Sequence, residues 1–158
     1  MTELQHSPSR LPILFLAVVV LFGLGVAPAS YAKQGDNFSN ADLKGDYSFF
    51  LDGFLTADGQ LVPVAASGQV EADGDGNFTN AVRILNVGGV VFRQEASGTY
   101  TVNPNGTGSA ELTVVTVDPT GIPDSTESFD FTITDHQSQL QVVDTTPGLV
   151  AKGLIIKQ

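Results

Sequence analysis

The chain has 158 residues, of which 42% are hydrophobic and 15% charged, values typical of one globular domain rather than of a disordered tail. It contains no cysteine, which excludes a disulfide scaffold, a thiolate zinc site and an iron–sulfur cluster. The formal net charge of −10 at pH 7, without a local cluster of Lys and Arg, argues against nucleic acid as a partner because a polyanion would be repelled.

The N-terminal region has the pattern of a secretory signal peptide. An apolar run over 11–27 follows Arg10 and is followed in turn by small residues. We therefore predict a signal peptide over 1–32, cleaved near Ala29 or Ala32, and a secreted or periplasmic protein. The alternative is that this segment is retained as an anchor, because its length is close to that of the shortest membrane-spanning helices. In either case it is the only part expected to contact a membrane.

The remaining chain alternates between apolar or β-branched segments and turn residues. Residues 33–44 are polar and aperiodic, which predicts a flexible lead-in, and residues 45–158 then form a single domain. Clusters of Gly, Asp, Asn and Pro divide this domain at regular intervals. Eight strands are predicted, at 45–56, 60–72, 77–87, 90–102, 107–117, 128–134, 139–145 and 149–157.

The spacing of these strands predicts an antiparallel sheet. No segment of the domain has a sustained helical period, and the connections are too short for the crossovers that parallel strands need. Eight hairpin-linked strands can close into an up-and-down barrel, which removes both sheet edges. We predict an all-β fold with this eight-stranded barrel, and a two-layer β-sandwich is the alternative.

The alternation of side chains along the strands predicts which residues face the lumen. Aromatic residues share one phase on the first, fourth and sixth strands, whereas Phe50 and Phe54 fall on the outward face. On the third strand the polar residues Asn80 and Asn86 fall in phase with apolar residues predicted to face inward, among them Ile84. On the last hairpin Asp144 and Lys152 fall in phase with the apolar residues Val142 and Val150, unless the last strands face outward or lie at the barrel mouth. The predicted lumen-lining, ligand-binding candidates are Tyr47, Phe49, Asn80, Phe92, Tyr100, Phe131 and Lys152.

A glycine-rich acidic segment at 73–77 is the most specific candidate for a metal-binding motif in the chain. Asp73, Asp75 and Asn77 place oxygen atoms at alternate positions, which is an arrangement that calcium favours. However, Phe78 and Ile84 occupy the positions where a calcium-binding loop of the EF-hand type needs Gly and Glu. Asp-Gly and Gly-Asn are also ordinary hairpin residues, so a turn is the preferred interpretation and calcium the weaker one.

Catalytic patterns are sparse. After the signal peptide the single histidine is His136, in a turn-like segment, and no serine lies in a nucleophile-elbow pattern. A turn histidine is usually solvated, and the acidic residues fall mainly in turns or at outward positions. We therefore predict no catalytic residue, no cofactor and no enzymatic activity.

Several motifs together resemble those of a loose group of secreted bacterial proteins. They include Gly45–Phe49 as G-x-[YF]-S-[FY], Gly68–Asn77 as G-x-[VF]-x-A-D-G-x-G-N, and Gly153–Gln158 as G-x-[IL]-x-K-Q. The resemblance covers nearly all of the chain after the signal peptide and implies a calycin-like eight-stranded barrel. Lipocalins carry a G-x-W motif that this chain lacks. The group has no established activity, so the resemblance implies no functional residue.

Three functions follow in order of preference. The first is non-catalytic binding of a small apolar ligand in the lumen, or of a partner at the surface. The second is a structural or cell-surface adhesion role with a filled barrel, and the third is an isomerase or cyclase of the kind found on some calycin-like barrels. A lumen void of about 300 Å³ or more would favour the first, and a lumen plugged by the aromatic rings the second.

Overall fold

The computed structural model of the chain describes residues 37–134 and 138–158, so the predicted signal peptide and His136 lie outside the described residues. Within them a short 3-10 turn at Asn40–Asp42 is followed by eight strands. No helix in this part of the chain is long and apolar enough to cross a lipid bilayer. The strands are β1 (Lys44–Ala57), β2 (Gln60–Asp73), β3 (Asn77–Val87), β4 (Val90–Val102), β5 (Thr107–Asp118), β6 (Ser125–Thr134), β7 (Gln139–Asp144) and β8 (Leu149–Lys157).

The eight strands form a closed antiparallel barrel, which confirms the predicted fold and excludes the sandwich. Each strand pairs with the next along the chain, and β1 also pairs with β8 from Tyr47 opposite Lys157 to Leu55 opposite Leu149. The strand β6 begins at Ser125, earlier than predicted, because its first residues already pair with β5. Closure leaves no free sheet edge in the barrel.

The hairpin turns divide the barrel into two different ends. The turns at 58–59, 88–89, 119–124 and 145–148 share one end, which we call the mouth. At the β1–β2 turn Asp58 and Gly59 both have positive φ angles, 49° and 75°, as the tight hairpin turn predicted from their sequence requires. The other end, which we call the closed end, carries the turns at 74–76 and 103–106 and the entry of the chain into β1.

Residues 37–43 pack against the closed end, whereas the sequence predicted a flexible lead-in over 33–44. Leu43 is only 1% exposed, and Phe38 packs against the core and over Gly106. The Tyr100 hydroxyl donates a hydrogen bond of 2.7 Å to the Leu43 carbonyl oxygen. Two apolar side chains in an otherwise polar segment thus pack against the barrel, and the Asn40 side chain accepts a hydrogen bond of 2.8 Å from the Val102 backbone N–H. The polar composition of 33–44 did not indicate this packing.

Aromatic rings fill the half of the barrel next to the closed end. Tyr47 is 1% exposed and Tyr100 is 3% exposed, and the rings of Phe78 and Tyr100 lie 4.6 Å apart between centroids. Phe129 and Phe131 from β6 complete this layer. The same rings therefore form the main apolar core, as a lumen plugged by side chains requires.

A β-bulge reverses the predicted phase of β3. Between the Phe78–Gly98 pair and the Ala81–Ala96 pair, two residues of β3, Thr79 and Asn80, lie opposite one residue of β4, Ser97. Asn80 sits in this bulge with a φ angle of 52°. The extra residue turns each later side chain to the opposite face, so Ile84, predicted to face inward, is 51% exposed. The prediction that Asn80 faces the lumen is wrong for the same reason, because its side chain is exposed and donates to Glu71.

The predicted phase of β8 is also wrong by one residue. Ala151 is 6% exposed and lies inside, whereas Val150 is 72% exposed, and Lys152 is exposed opposite the outward residue Val143. The prediction carried the alternation of β7 across the turn at 145–148, but that turn resets the phase. On β7 itself the alternation holds, and Asp144 lies inside at 5% exposure.

Candidate ligand site in the barrel lumen

The half of the barrel next to the mouth contains a cavity of about 410 Å³. One side, which we call the apolar wall, is formed by β1, β2 and β8 and consists of Leu51, Leu55, Ala66, Leu149 and Ala151. The other side is formed by β3 to β7 and carries the charged lining residues Arg83, Glu127 and Asp144 together with Gln94 and Thr116, and we call these five residues the polar wall. Leu85, Val87 and Phe92 from β3 and β4 also line the cavity on this side. Ile122 and Pro147 lie at the mouth and are exposed, so the cavity opens to solvent there.

An ion pair between Arg83 and Glu127 forms the centre of the polar wall. The two terminal nitrogens of the guanidinium donate to the two carboxylate oxygens, Nη1 to Oε2 at 2.6 Å and Nη2 to Oε1 at 2.5 Å. The side chains are only 8% and 12% exposed. This two-point geometry is the strongest arrangement for such a pair, and burial makes the loss of either partner costly.

Hydrogen bonds extend the ion pair along the wall. The Nε atom of Arg83 donates to the Gln94 side-chain oxygen at 2.7 Å, and the Gln94 amide nitrogen donates to the Thr116 hydroxyl at 2.9 Å. Gln94 and Thr116 are each 8% exposed. A chain of hydrogen-bonded polar groups thus links four strands, β3 to β6, and it holds the Arg83 side chain in one orientation.

Asp144 lies beside this chain at the end of β7. Its Oδ1 atom accepts a hydrogen bond of 2.8 Å from the Thr146 backbone N–H. Burial raises the pKa of the Asp144 carboxyl, and the nearby charge of Glu127 adds to this effect, while hydrogen bonds from Thr146 and the charge of Arg83 oppose it. Asp144 therefore favours its neutral form more than an exposed aspartate does.

Small residues on the apolar wall create the space. Ala66 lies between Leu51 on β1 and Leu85 on β3, and it is buried at 9% exposure. A larger side chain at this position would fill part of the lumen, as the aromatic rings do in the closed half. The site can therefore hold a molecule that contacts aliphatic groups on one side and hydrogen-bonding groups on the other.

When the chain was compared with family models, curated proteins and solved structures, none matched it.

The structure separates the seven predicted lumen residues into three groups. Phe92 lines the cavity, and Phe49 lines a separate, largely apolar void of about 60 Å³ nearer the closed end. The rings of Tyr47, Tyr100 and Phe131 belong to the filled core. Asn80 and Lys152 lie outside the barrel, as described above. The cavity is therefore large enough for the predicted role, but a different set of residues surrounds it.

Arg83 and Glu127 were not among the predicted site residues, although the sequence carried one signal for their ion pair. Glu127 is in phase with the inward residues Phe129 and Phe131, but the predicted β6 began one residue after it. Gln94 is likewise in phase with Phe92 on β4. Only Arg83 was hidden, because the bulge shifts its phase. An acidic residue at an inward position of an otherwise apolar pattern indicates a cationic partner inside the barrel, because an unpaired buried charge is very costly.

The acidic motif at the β2–β3 turn is organised by its own hydrogen bonds. Oδ1 of Asp73 accepts from the backbone N–H groups of Asp75, Gly76 and Asn77 at 2.7, 3.0 and 2.9 Å. Its Oδ2 atom accepts from the Asn77 side chain at 2.5 Å. No three acidic or histidine side chains group as metal ligands within 37–134 and 138–158. The spacing that suggested calcium is accounted for by this turn.

Proposed function

We propose that this protein binds a small molecule in the mouth half of its barrel without catalysing a reaction. The ligand would have an apolar body and at least one hydrogen-bonding group. The observation that supports this proposal is the cavity of about 410 Å³ between two chemically different walls. From the sequence pattern of a signal peptide we also propose that this activity lies outside the cytoplasm, in the periplasm or the surrounding medium.

The polar wall argues for binding rather than for a purely structural barrel. A buried ion pair is weak support for stability, because well-packed apolar residues of similar volume often do as well or better. The Arg83–Glu127 pair instead faces a space that a molecule can enter. A structural barrel would be served by continuing the filled core to the mouth. The polar groups are also engaged with one another, which suits recognition better than proton transfer.

We further propose that the chain belongs with the secreted bacterial barrels that its motifs resemble. The closed eight-stranded antiparallel topology is compatible with a calycin-like barrel. In such a barrel the lumen is the natural place for one small ligand. This grouping supports the position of the site, and the chemistry of the ligand rests on the residues of this chain.

Nile red provides a direct test because it is a neutral dye whose fluorescence increases in apolar surroundings. We expect saturable binding with one dye per chain. Replacement of Ala66 by Phe would place a ring in the cavity, and we expect it to abolish this binding. The matched control is Ala65→Phe, on the next residue of β2, because Ala65 faces outward and is exposed. Equal dye binding by the two variants would contradict a luminal site.

A second control addresses the exposed rings on the outside of β1. Phe50 and Phe54 are 47% and 50% exposed and could bind a hydrophobic dye themselves. The variant with both replaced by Ser should retain the saturable component if the lumen is the site. Native mass spectrometry of protein purified from its own host should then show an added small mass, which Ala66→Phe should lose and Ala65→Phe should keep.

A further inference from the structure

Arg83 is the one cationic side chain on the polar wall as defined above, so an acidic ligand would be expected to bind beside it. Arginine binds carboxylates through two parallel hydrogen bonds from its terminal nitrogens. A fatty acid with its chain along the apolar wall and its carboxylate on Arg83 would satisfy both walls. The contacts of Arg83 argue against this interpretation.

The carboxylate-binding side of Arg83 is already occupied from within the protein. Both oxygens of Glu127 lie on the two terminal nitrogens, and Gln94 takes the Nε hydrogen. Glu127 therefore fills the position that a ligand carboxylate would need. An incoming anion would have to displace Glu127, which would leave a second carboxylate buried without its partner.

The remaining charges near the site make an anion still less favourable. Asp144 is the other acidic group on the polar wall, and it adds negative charge whenever it ionises. The chain as a whole carries a formal net charge of −10 at pH 7. By contrast, an uncharged hydroxyl, carbonyl or amide can accept the Arg83 and Gln94 hydrogens that have no partner among the described residues, and it adds no charge.

We propose that the cavity selects uncharged amphipathic ligands over carboxylates, and that Glu127 enforces this selection by occupying Arg83. The inference rests on the proposed function, since it names the class of ligand for the same cavity. It assigns Glu127 a specificity-determining role in addition to its part in the ion pair. The ligand class consists of apolar molecules that end in an alcohol, ketone, ester or amide.

The test compares decanol with decanoate, which have chains of the same length and differ in the charge of one end. Each is titrated against the Nile red complex of the full chain at about pH 8, where a carboxylic acid is ionised. Wild-type protein should bind decanol at least about tenfold more tightly than decanoate, a ratio equivalent to roughly 1.4 kcal/mol. Equal binding, or tighter binding of decanoate, overturns the inference while leaving luminal binding intact.

The variant Glu127→Gln tests the role of Glu127 itself. It leaves Arg83 without a counter-charge, so decanoate should bind this variant about tenfold more tightly than it binds wild type and should raise its melting temperature. Glu111→Gln is the matched control, because Glu111 is exposed on β5, and it should keep the wild-type ratio. An unchanged ratio in a folded Glu127→Gln overturns the role of Glu127. If that variant does not fold, the wild-type comparison still decides the ligand class. Failure of Nile red to enter wild-type protein would instead refute the proposed function.

Discussion

Tyr100 and Tyr47 in the closed half allow the hydroxyl group to be removed from one tyrosine that uses it in hydrogen bonds and from another that does not. The Tyr100 hydroxyl donates to the Leu43 carbonyl oxygen at 2.7 Å and accepts from the buried Gly74 N–H at 3.1 Å. The Tyr47 hydroxyl is also buried, but it has no hydrogen-bond partner among the described residues. Replacing each by Phe removes one oxygen atom and keeps the ring.

The expected magnitudes differ widely. Tyr100→Phe loses two hydrogen bonds worth about 1 kcal/mol each, and it leaves the Gly74 N–H buried without a partner at a further cost of about 1–2 kcal/mol. Its free energy of unfolding should therefore fall by about 3–4 kcal/mol. Tyr47→Phe should change that free energy by less than about 0.5 kcal/mol, or raise it, because an unpaired buried hydroxyl is removed.

Urea unfolding followed by far-ultraviolet circular dichroism measures both effects. The urea concentrations at which the two variants are half unfolded should differ. The slope of the free energy of unfolding against urea concentration should be the same for both, since both variants keep the same buried surface. In thermal unfolding, a loss of about 3 kcal/mol corresponds to roughly 10 °C for a domain of this size. Equal destabilisation by the two substitutions, or a larger loss for Tyr47→Phe, would refute the hydrogen-bond reasoning for the closed end.

Three further predictions concern the polar wall, the strands and the acidic turn. Arg83→Met should lower stability by about 3–5 kcal/mol because it leaves Glu127 buried and unpaired, and the double variant with Glu127→Leu should recover most of this loss in urea unfolding. Gly98→Ala should lower the free energy of unfolding by about 3 kcal/mol in the same measurement, because the added Cβ would overlap the Glu111 carbonyl oxygen. The control Ser97→Ala, at an exposed position of the same strand, should leave that free energy nearly unchanged. Hydrogen bonds from the Asn77 side chain, and then mainly from backbone N–H groups, lower the pKa of Asp73 from 3.8 to about 2. The ionised Asp73 carboxylate therefore stabilises the folded protein above pH 3.8, and this stabilisation is lost as the pH falls towards 2. Wild type should therefore lose stability in acid titration over that range, and a loss just as steep in Asp73→Asn would contradict this.

The strand pattern and the turns could be predicted because both depend on local chemistry. Asp58 and Gly59 adopt the positive φ angles of a tight hairpin turn, and this requirement is visible in the residues themselves. The phases of β1 and β4 were predicted correctly, since alternation continues without interruption through Tyr47, Phe49 and Phe92. Local turn chemistry and period-two alternation were thus sufficient for the barrel.

The site could not be predicted as well because its position depends on interruptions of that alternation. The bulge at Asn80 sends Arg83 inward, and no local apolar pattern indicates this for a charged residue between Val82 and Ile84. On β8, the phase follows from pairing with β7 and β1 rather than from the strand alone. Asn tolerates positive φ better than most residues, and this property of Asn80 was the one available sign of the bulge.

The separation of core and cavity explains why the proposed experiments on the site can be interpreted. The main cluster of buried apolar side chains, which includes Tyr47, Phe78, Tyr100 and Phe131, lies in the closed half, whereas the buried residues Ala66 and Ala151 line the cavity and lie outside that cluster. Burial of large rings contributes far more to stability than burial of alanine, because the stabilisation is proportional to the apolar area removed from water. A substitution at the apolar wall should therefore alter ligand binding while the closed half keeps the barrel folded. The polar wall differs, because a single change there leaves a buried charge, and this is why the Arg83 and Glu127 variants are compared in pairs or with a ligand that restores the charge.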